Sequence, residues 1–146
     1  MPPDRPQPGS ARDWLRYAIS DLELARTSGT PNVMLESLCY HVQQCAEKAV
    51  KAVLVAGDIP VPRTHSIGLL LDLLPKQMVL PQDMEETAAL TDYAVMCRYP
   101  GDAEPVTESE YERAVHLAEV VLAWARQTVE QLQADESDGE TTNDAS

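Results

Sequence analysis

The chain of 146 residues has no phenylalanine, and aromatic residues make up only 5% of it. A core with so few flat rings must be built from aliphatic side chains and alanine, a palette that suits helices packed at close range. Cysteine is scarce as well. Cys39, Cys45 and Cys97 are too few, and odd in number, for a disulfide framework, so reduced thiols in a cytoplasmic setting are expected. No stretch approaches the roughly 20 apolar residues needed to cross a bilayer. The opening "MPPDRPQPGS" has no apolar region of signal-peptide type, and no membrane partner is expected.

Positive charge is the third scarcity. Eleven Lys and Arg stand against 24 Asp and Glu, for a formal net charge of −13. The C-terminal "ADESDGETTNDAS" carries five of those acids and no base, which leaves −8 on the remainder. Without a basic run, a broad nucleic-acid surface is disfavoured, and RNA with it; a local site using one or two cations stays compatible with the charge. Also absent are a glycine-rich phosphate loop, a nucleophile elbow, a paired-cysteine zinc motif and a His-Glu-x-x-His sequence.

What is present is helical periodicity. Residues 1–10 hold four of the eleven prolines and almost nothing to bury, and they read as a disordered leader. A first helix is expected over 11–28, with Trp14, Tyr17, Ala18, Leu22 and Ala25 on one face and Ser28-Gly29 as its stop. A long second helix runs over 32–57, ended by Gly57. A short third, "IGLLLDLLP", has Thr64 or Ser66 as its cap and Pro75 as its end. A fourth covers 82–99, with Asp83, Glu85 and Glu86 near the positive end of its dipole. A fifth opens on the capping box Thr107-x-x-Glu110 and carries the stripe Tyr111, Ala114, Ala118, Val121, Ala125, Val129 and Leu132. No segment alternates as a strand. The expected fold is all-α, an antiparallel up-and-down four-helix bundle over residues 11–134 with one additional short helix, followed by a disordered acidic tail at 135–146.

Within the second helix, "CYHVQQCAEKAVKAVLVAG" carries His41, Gln44, Lys48 and Lys51 on one ridge, within about a quarter turn at about 100° per residue. Its plain reading is a solvated face with a Glu47–Lys51 ion pair; its functional reading is the wall of a site. His41 and Cys45 could share a metal with His65 or His116, but a lone i, i+4 pair arises easily by chance, and no metal site is assigned. In "VMCRYPG", Arg98 closes the fourth helix against the negative dipole end, and its planar guanidinium also suits a phosphate. Tyr99 adjoins it, and Tyr93 lies near the edge of the same side. "PRTHS" adds Arg63 and His65 before the third helix.

The segments "DWLRYAISDLELA", "HVQQCAEKAVKAVLVAGDIPVPRTHSIGLLLDLL" and "YAVMCRYPG" together resemble the HEPN domain family over about residues 11–130. The resemblance implies a helical bundle, frequently a homodimer, often paired with a minimal nucleotidyltransferase in toxin–antitoxin or nucleotide-handling systems. Many members are metal-independent ribonucleases that use an Arg followed, after four to six residues, by a His. Arg98 matches that Arg, but the His positions hold Ala103, Glu104 and Pro105. Arginine can neutralise a phosphate but stays charged and cannot shuttle a proton. The expected role is therefore binding of a nucleotide or other phosphate-bearing ligand, or docking of a nucleotidyltransferase, through Arg98, Tyr99, Tyr93, Lys48, Gln44, His41, Arg63 and His65, with no cofactor. The alternatives are a metal-independent endoribonuclease toxin and a structural dimerisation module.

Overall fold

Ser10 sets the start of the first helix in the computed structural model, which describes residues 9–96 and 104–144. Its hydroxyl accepts the Asp13 backbone N–H at 3.1 Å, satisfying one of the free donors at a helix start, and α1 runs Ala11–Ala25. The chain leaves the helix before Ser28, and Gly29 takes a φ of +89°, a conformation that glycine adopts without strain. Helix α2 runs Leu35–Ala56 and buries residues round most of its circumference. Its alanines and valines let neighbouring helices approach on several sides, so α2 is the central member.

Beyond Gly57 the loop leads to α3 (Ile67–Asp72), which Ser66 caps by accepting the Leu69 N–H. Thr64, the other candidate cap, instead accepts the Ser66 N–H. The expected fourth helix is broken into α4 (Met84–Thr87), a 3₁₀ turn at Ala88–Thr91, and α5 (Asp92–Met96). No proline causes the break. The tightened turn lies where the Thr91 hydroxyl accepts the Ile67 backbone N–H at 3.0 Å, tying this segment to the start of α3. Helix α6 runs Glu108–Asp144 and opens on the expected capping box: Thr107 Oγ1 accepts the Glu110 N–H, and the Glu110 carboxylate accepts the Thr107 N–H.

The architecture is the all-α up-and-down bundle. Trp14, Tyr17 and Asp21 of α1 meet Lys51, Lys48 and His41 of α2 in reversed order, which fixes that pair as antiparallel. Arg26 at the end of α1 reaches Glu119, and the Tyr111 hydroxyl donates to the Ala25 carbonyl, so α1 and α6 are antiparallel too. Arg113 pairs with Glu86 while Tyr93 lies near Glu110, so the 84–96 segment runs against α6. Helices α2 and α6 touch across the middle, and the Ala46, Ala49, Ala118, Val121 and Ala125 side chains fill the core there.

Two expectations are corrected. Tyr17, placed on the inward face of α1 by periodicity, is half exposed, because its ring lies along the α1–α2 seam beside Lys48. The stretch 135–144, read as a disordered tail from its charge, continues α6 as helix. Its Ala134, Asp135 and Glu136 follow a run of strong helix formers with no proline, and one glycine, Gly139, costs a helix only about 1 kcal/mol. Of the expected leader, only Gly9 and Ser10 are among the described residues.

Candidate functional site

The polar ridge of α2 faces α1. Asp21 occupies a stripe position on α1, between Ala18 and Ala25, and this spacing delivers its carboxylate into the α1–α2 seam. One oxygen lies 2.9 Å from His41 Nδ1 and the other accepts from Lys48 Nζ at 2.6 Å. Tyr17, one turn before Asp21, lies beneath Lys48 with its ring centroid 5.8 Å from Nζ.

One turn further along α2 the same wiring recurs around Glu47. Its Oε2 accepts from Lys51 Nζ at 2.9 Å, and its Oε1 lies 2.9 Å from His65 Nδ1. Gln43 donates to the same Oε1 at 3.0 Å and to the His65 carbonyl at 3.2 Å. Gln44 donates to the Gln43 side-chain oxygen at 2.6 Å. The Trp14 ring centroid lies 5.4 Å from Lys51 Nζ. Burial pushes the Glu47 carboxyl upward, but the hydrogen bonds from Lys51, Gln43 and His65 outweigh it and hold the group below its ordinary value. Glu47 is thus a buried, ionised acceptor. A carboxylate there can only accept, so the His65 Nδ1 carries the hydrogen and its Nε2 keeps a free lone pair in the neutral ring. The His65 side chain is 61% exposed while Glu47 is 3% exposed. Backbone and ring together pin residue 65 to the middle of α2.

The structure therefore gathers His41, Gln44, Lys48 and His65 into two adjacent clusters. The solvated-face reading of the ridge is corrected in one respect: the Glu47–Lys51 pair exists, but it is buried. Both lysines are matched by carboxylates. His65 is exposed at this face, and Arg63, two residues before it, is exposed and makes no ion pair among the described residues. Tyr93 is not brought to the ridge. It lines a cavity of about 310 Å³ with Glu86, Ala89, Ser109, Glu110 and Arg113, and no ridge residue lines that cavity. Burial, with Cys39, Glu110 and Asp92 nearby, pushes the Tyr93 hydroxyl up to about 12, so it stays a neutral phenol. Arg113 is held by Glu86 at 2.7 Å and Asp83 at 3.6 Å. Arg98 and Tyr99 lie outside the described residues.

The His41–Cys45 pair is engaged otherwise. His41 is engaged by Asp21, and burial first, then the Asp21 charge, raises the Cys45 thiol to about 12, so it is a protonated core thiol. No group of His, Cys, Asp and Glu among the described residues could hold a metal ion. No helix among them is long and apolar enough to cross a membrane.

Sequence reasoning missed Asp21, Gln43, Trp14 and Tyr17 as members of these clusters. Asp21 left a signal, since an acid on the apolar stripe of an amphipathic helix requires a partner on the next helix. Gln43 left none, because its importance depends on the loop folding back to offer the His65 carbonyl.

Comparison with known proteins places this geometry in a family. Residues 11–128 match the HEPN domain. The chain is 30% identical over 128 residues to a protein of Methanocaldococcus jannaschii named "Putative toxin MJ1304", covering 77% of this chain and 83% of that one. Among solved structures, TT1696 from Thermus thermophilus superposes with a TM-score of 0.71 at 34% identity, over 82% of this chain and 98% of that one. ST0689, an archaeal HEPN homologue, does so with a TM-score of 0.64 at 30% identity and the same coverages. The chain, with its family-patterned helix α2 and its all-α bundle, belongs to the HEPN domain family.

Proposed function

We propose that this protein is the HEPN component of a cytoplasmic toxin–antitoxin-type pair, acting with a minimal nucleotidyltransferase and holding a nucleotide or other phosphate-bearing ligand at the face formed by α2 and the 63–65 loop. The toxin name of the archaeal relative supports the class. The observation that carries the ligand site is the pinning of residue 65. Glu47 and Gln43 fix both its ring and its carbonyl, as a positioned binding group requires, and they leave the imidazole largely exposed two residues from Arg63. In this arrangement Arg63 supplies charge and His65 a hydrogen bond. Lys48 and Lys51, already neutralised, orient the clusters and do not meet the phosphate. A homodimer is the expected assembly.

Calorimetry with adenosine nucleotides tests the reading. Saturable binding is expected, with one class of sites weakened at least tenfold by R63Q, and a minimal nucleotidyltransferase is expected to co-purify from the native source. The absence of both removes the reading.

One observation favours a second reading, a metal-independent ribonuclease. An exposed imidazole oriented by a buried carboxylate is the arrangement of a general base, in a chain whose sequence holds Ala103, Glu104 and Pro105 at the positions of the family's own His. Arrested growth with RNA cleavage on expression of the chain alone, abolished by H65N, is the expected result of that reading; normal growth with intact RNA excludes it.

A further inference from the structure

A hollow between α1 and α6 is lined by two arginines. Among the described cations, Arg16, Arg26, Lys48, Lys51 and Arg113 each hold a carboxylate within ion-pair distance. Arg12 of α1 and Arg126 of α6 hold none among the described residues, yet both line the same cavity of about 410 Å³, floored by Leu15 and Val129 and edged by Glu130 and Gln133. Both arginines line one hollow, and Glu130, the acid that shares it, forms no ion pair with either among the described residues. Arg12 also lies in the first turn of α1, where the helix dipole disfavours a cation. In a chain so rich in acids, two arginines so placed mark a locally positive hollow. A neighbouring cavity of about 210 Å³ shares Arg126 and contains Arg26, but Glu23 and Glu119 already engage that Arg26. Of the arginines lining these two cavities, Arg12 and Arg126 are the ones with no carboxylate partner among the described residues.

We infer that the α1–α6 groove at Arg12 and Arg126 binds the phosphate group of a small phosphomonoester. Arginine presents paired N–H donors that match two phosphate oxygens at once, and two such forks suit a dianion. Leu15 and Val129 offer an apolar floor for the organic part of the ligand, and Gln133 offers both a donor and an acceptor. The volume falls in the range of small-molecule sites, about 300–1,000 Å³, and exceeds the needs of a bare ion. This site is separate from the Arg63–His65 face and does not depend on it.

Calorimetry with adenosine monophosphate and with inorganic phosphate tests the inference, using wild type, R12Q, R126Q and R63Q. Glutamine is a good helix former at both exposed helical sites, and matching circular dichroism spectra check that the variants fold. Binding of adenosine monophosphate is expected to weaken at least tenfold in R12Q and in R126Q, to persist in R63Q, and to weaken further as salt is raised. Inorganic phosphate is expected to bind more weakly than the nucleotide; equal affinity would remove the apolar floor from the inference. No saturable binding, or binding that R12Q and R126Q leave unchanged, overturns it. Loss in R63Q alone overturns it while leaving the Arg63–His65 reading intact.

Discussion

Asp21 holds His41 with one carboxylate oxygen and Lys48 with the other, and Glu47 does the same with His65 and Lys51. Each lysine has an aromatic ring of α1 beneath it, Tyr17 in the first case and Trp14 in the second. The two clusters differ in what they join and in how much water reaches them. Asp21 staples one helix to its neighbour, and its lysine is 21% exposed. Glu47 joins its own helix to the 63–65 loop, its lysine is 9% exposed, and two glutamine amides donate to its Oε1. An acid, a histidine and a lysine thus serve as an interhelical staple in one place and, with a more deeply buried lysine, as a loop anchor in the other.

Removing each acid tests that distinction with the largest expected effect. Glu47→Ala strands Lys51 and the Gln43 amide in a closed space, and breaking a buried pair from one side costs about 3–5 kcal/mol. Asp21→Ala leaves Lys48 and His41 partly hydrated, so the loss is expected at about 1–2 kcal/mol, below the full value of charged hydrogen bonds. Urea denaturation of the two variants measures both. Equal losses would mean that the clusters do not differ in the way their exposure indicates.

Acid titration sharpens the comparison next. Glu47 is held below its ordinary value of 4.5, so the native state binds fewer protons than the unfolded chain in that range. Its contribution is complete above about pH 4.5 and is lost as the pH falls through the depressed native value. The wild-type protein is therefore expected to lose stability on acidification more steeply than Glu47→Gln, whose side chain does not titrate. Parallel pH–stability curves for the two would show that the carboxylate is not the acceptor described.

How much of this was legible in the sequence follows from the range over which each feature is determined. The helices, the Thr107–Glu110 capping box and the α6 stripe depend on residues within a few positions of one another, and periodicity found them. The polar ridge was visible for the same reason. Its direction was not, because a ridge of His, Gln and Lys looks alike whether water or an acid on another helix lies opposite. The partner, Asp21, lies 20 residues from His41 and 27 from Lys48. The break in the 84–96 segment depended on Thr91 reaching Ile67, again a contact that no local pattern encodes. The grouping of Tyr93 with the ridge came from the expectation that a bundle collects its polar residues in one place, whereas α2 carries contacts on several faces.

The rings beneath the lysines give the smallest expected effect and the finest discrimination between the clusters. An ammonium over an aromatic face gains about 0.5–1 kcal/mol at exposed sites and about 2 kcal/mol when desolvated, with tryptophan the better ring. Lys51 is the more desolvated lysine and Trp14 the better ring, so Trp14→Leu is expected to destabilise the protein more than Tyr17→Leu. The raw difference also contains lost packing, since Trp14 is half-buried and Tyr17 half exposed. A double-mutant cycle with Lys51→Met and Lys48→Met removes that part and leaves the coupling of each ring to its own cation. Coupling in the Trp14–Lys51 cycle is expected near the upper figure and in the Tyr17–Lys48 cycle near the lower. Equal coupling in the two cycles would leave Glu47 and its amides as the whole of the difference between the anchor and the staple.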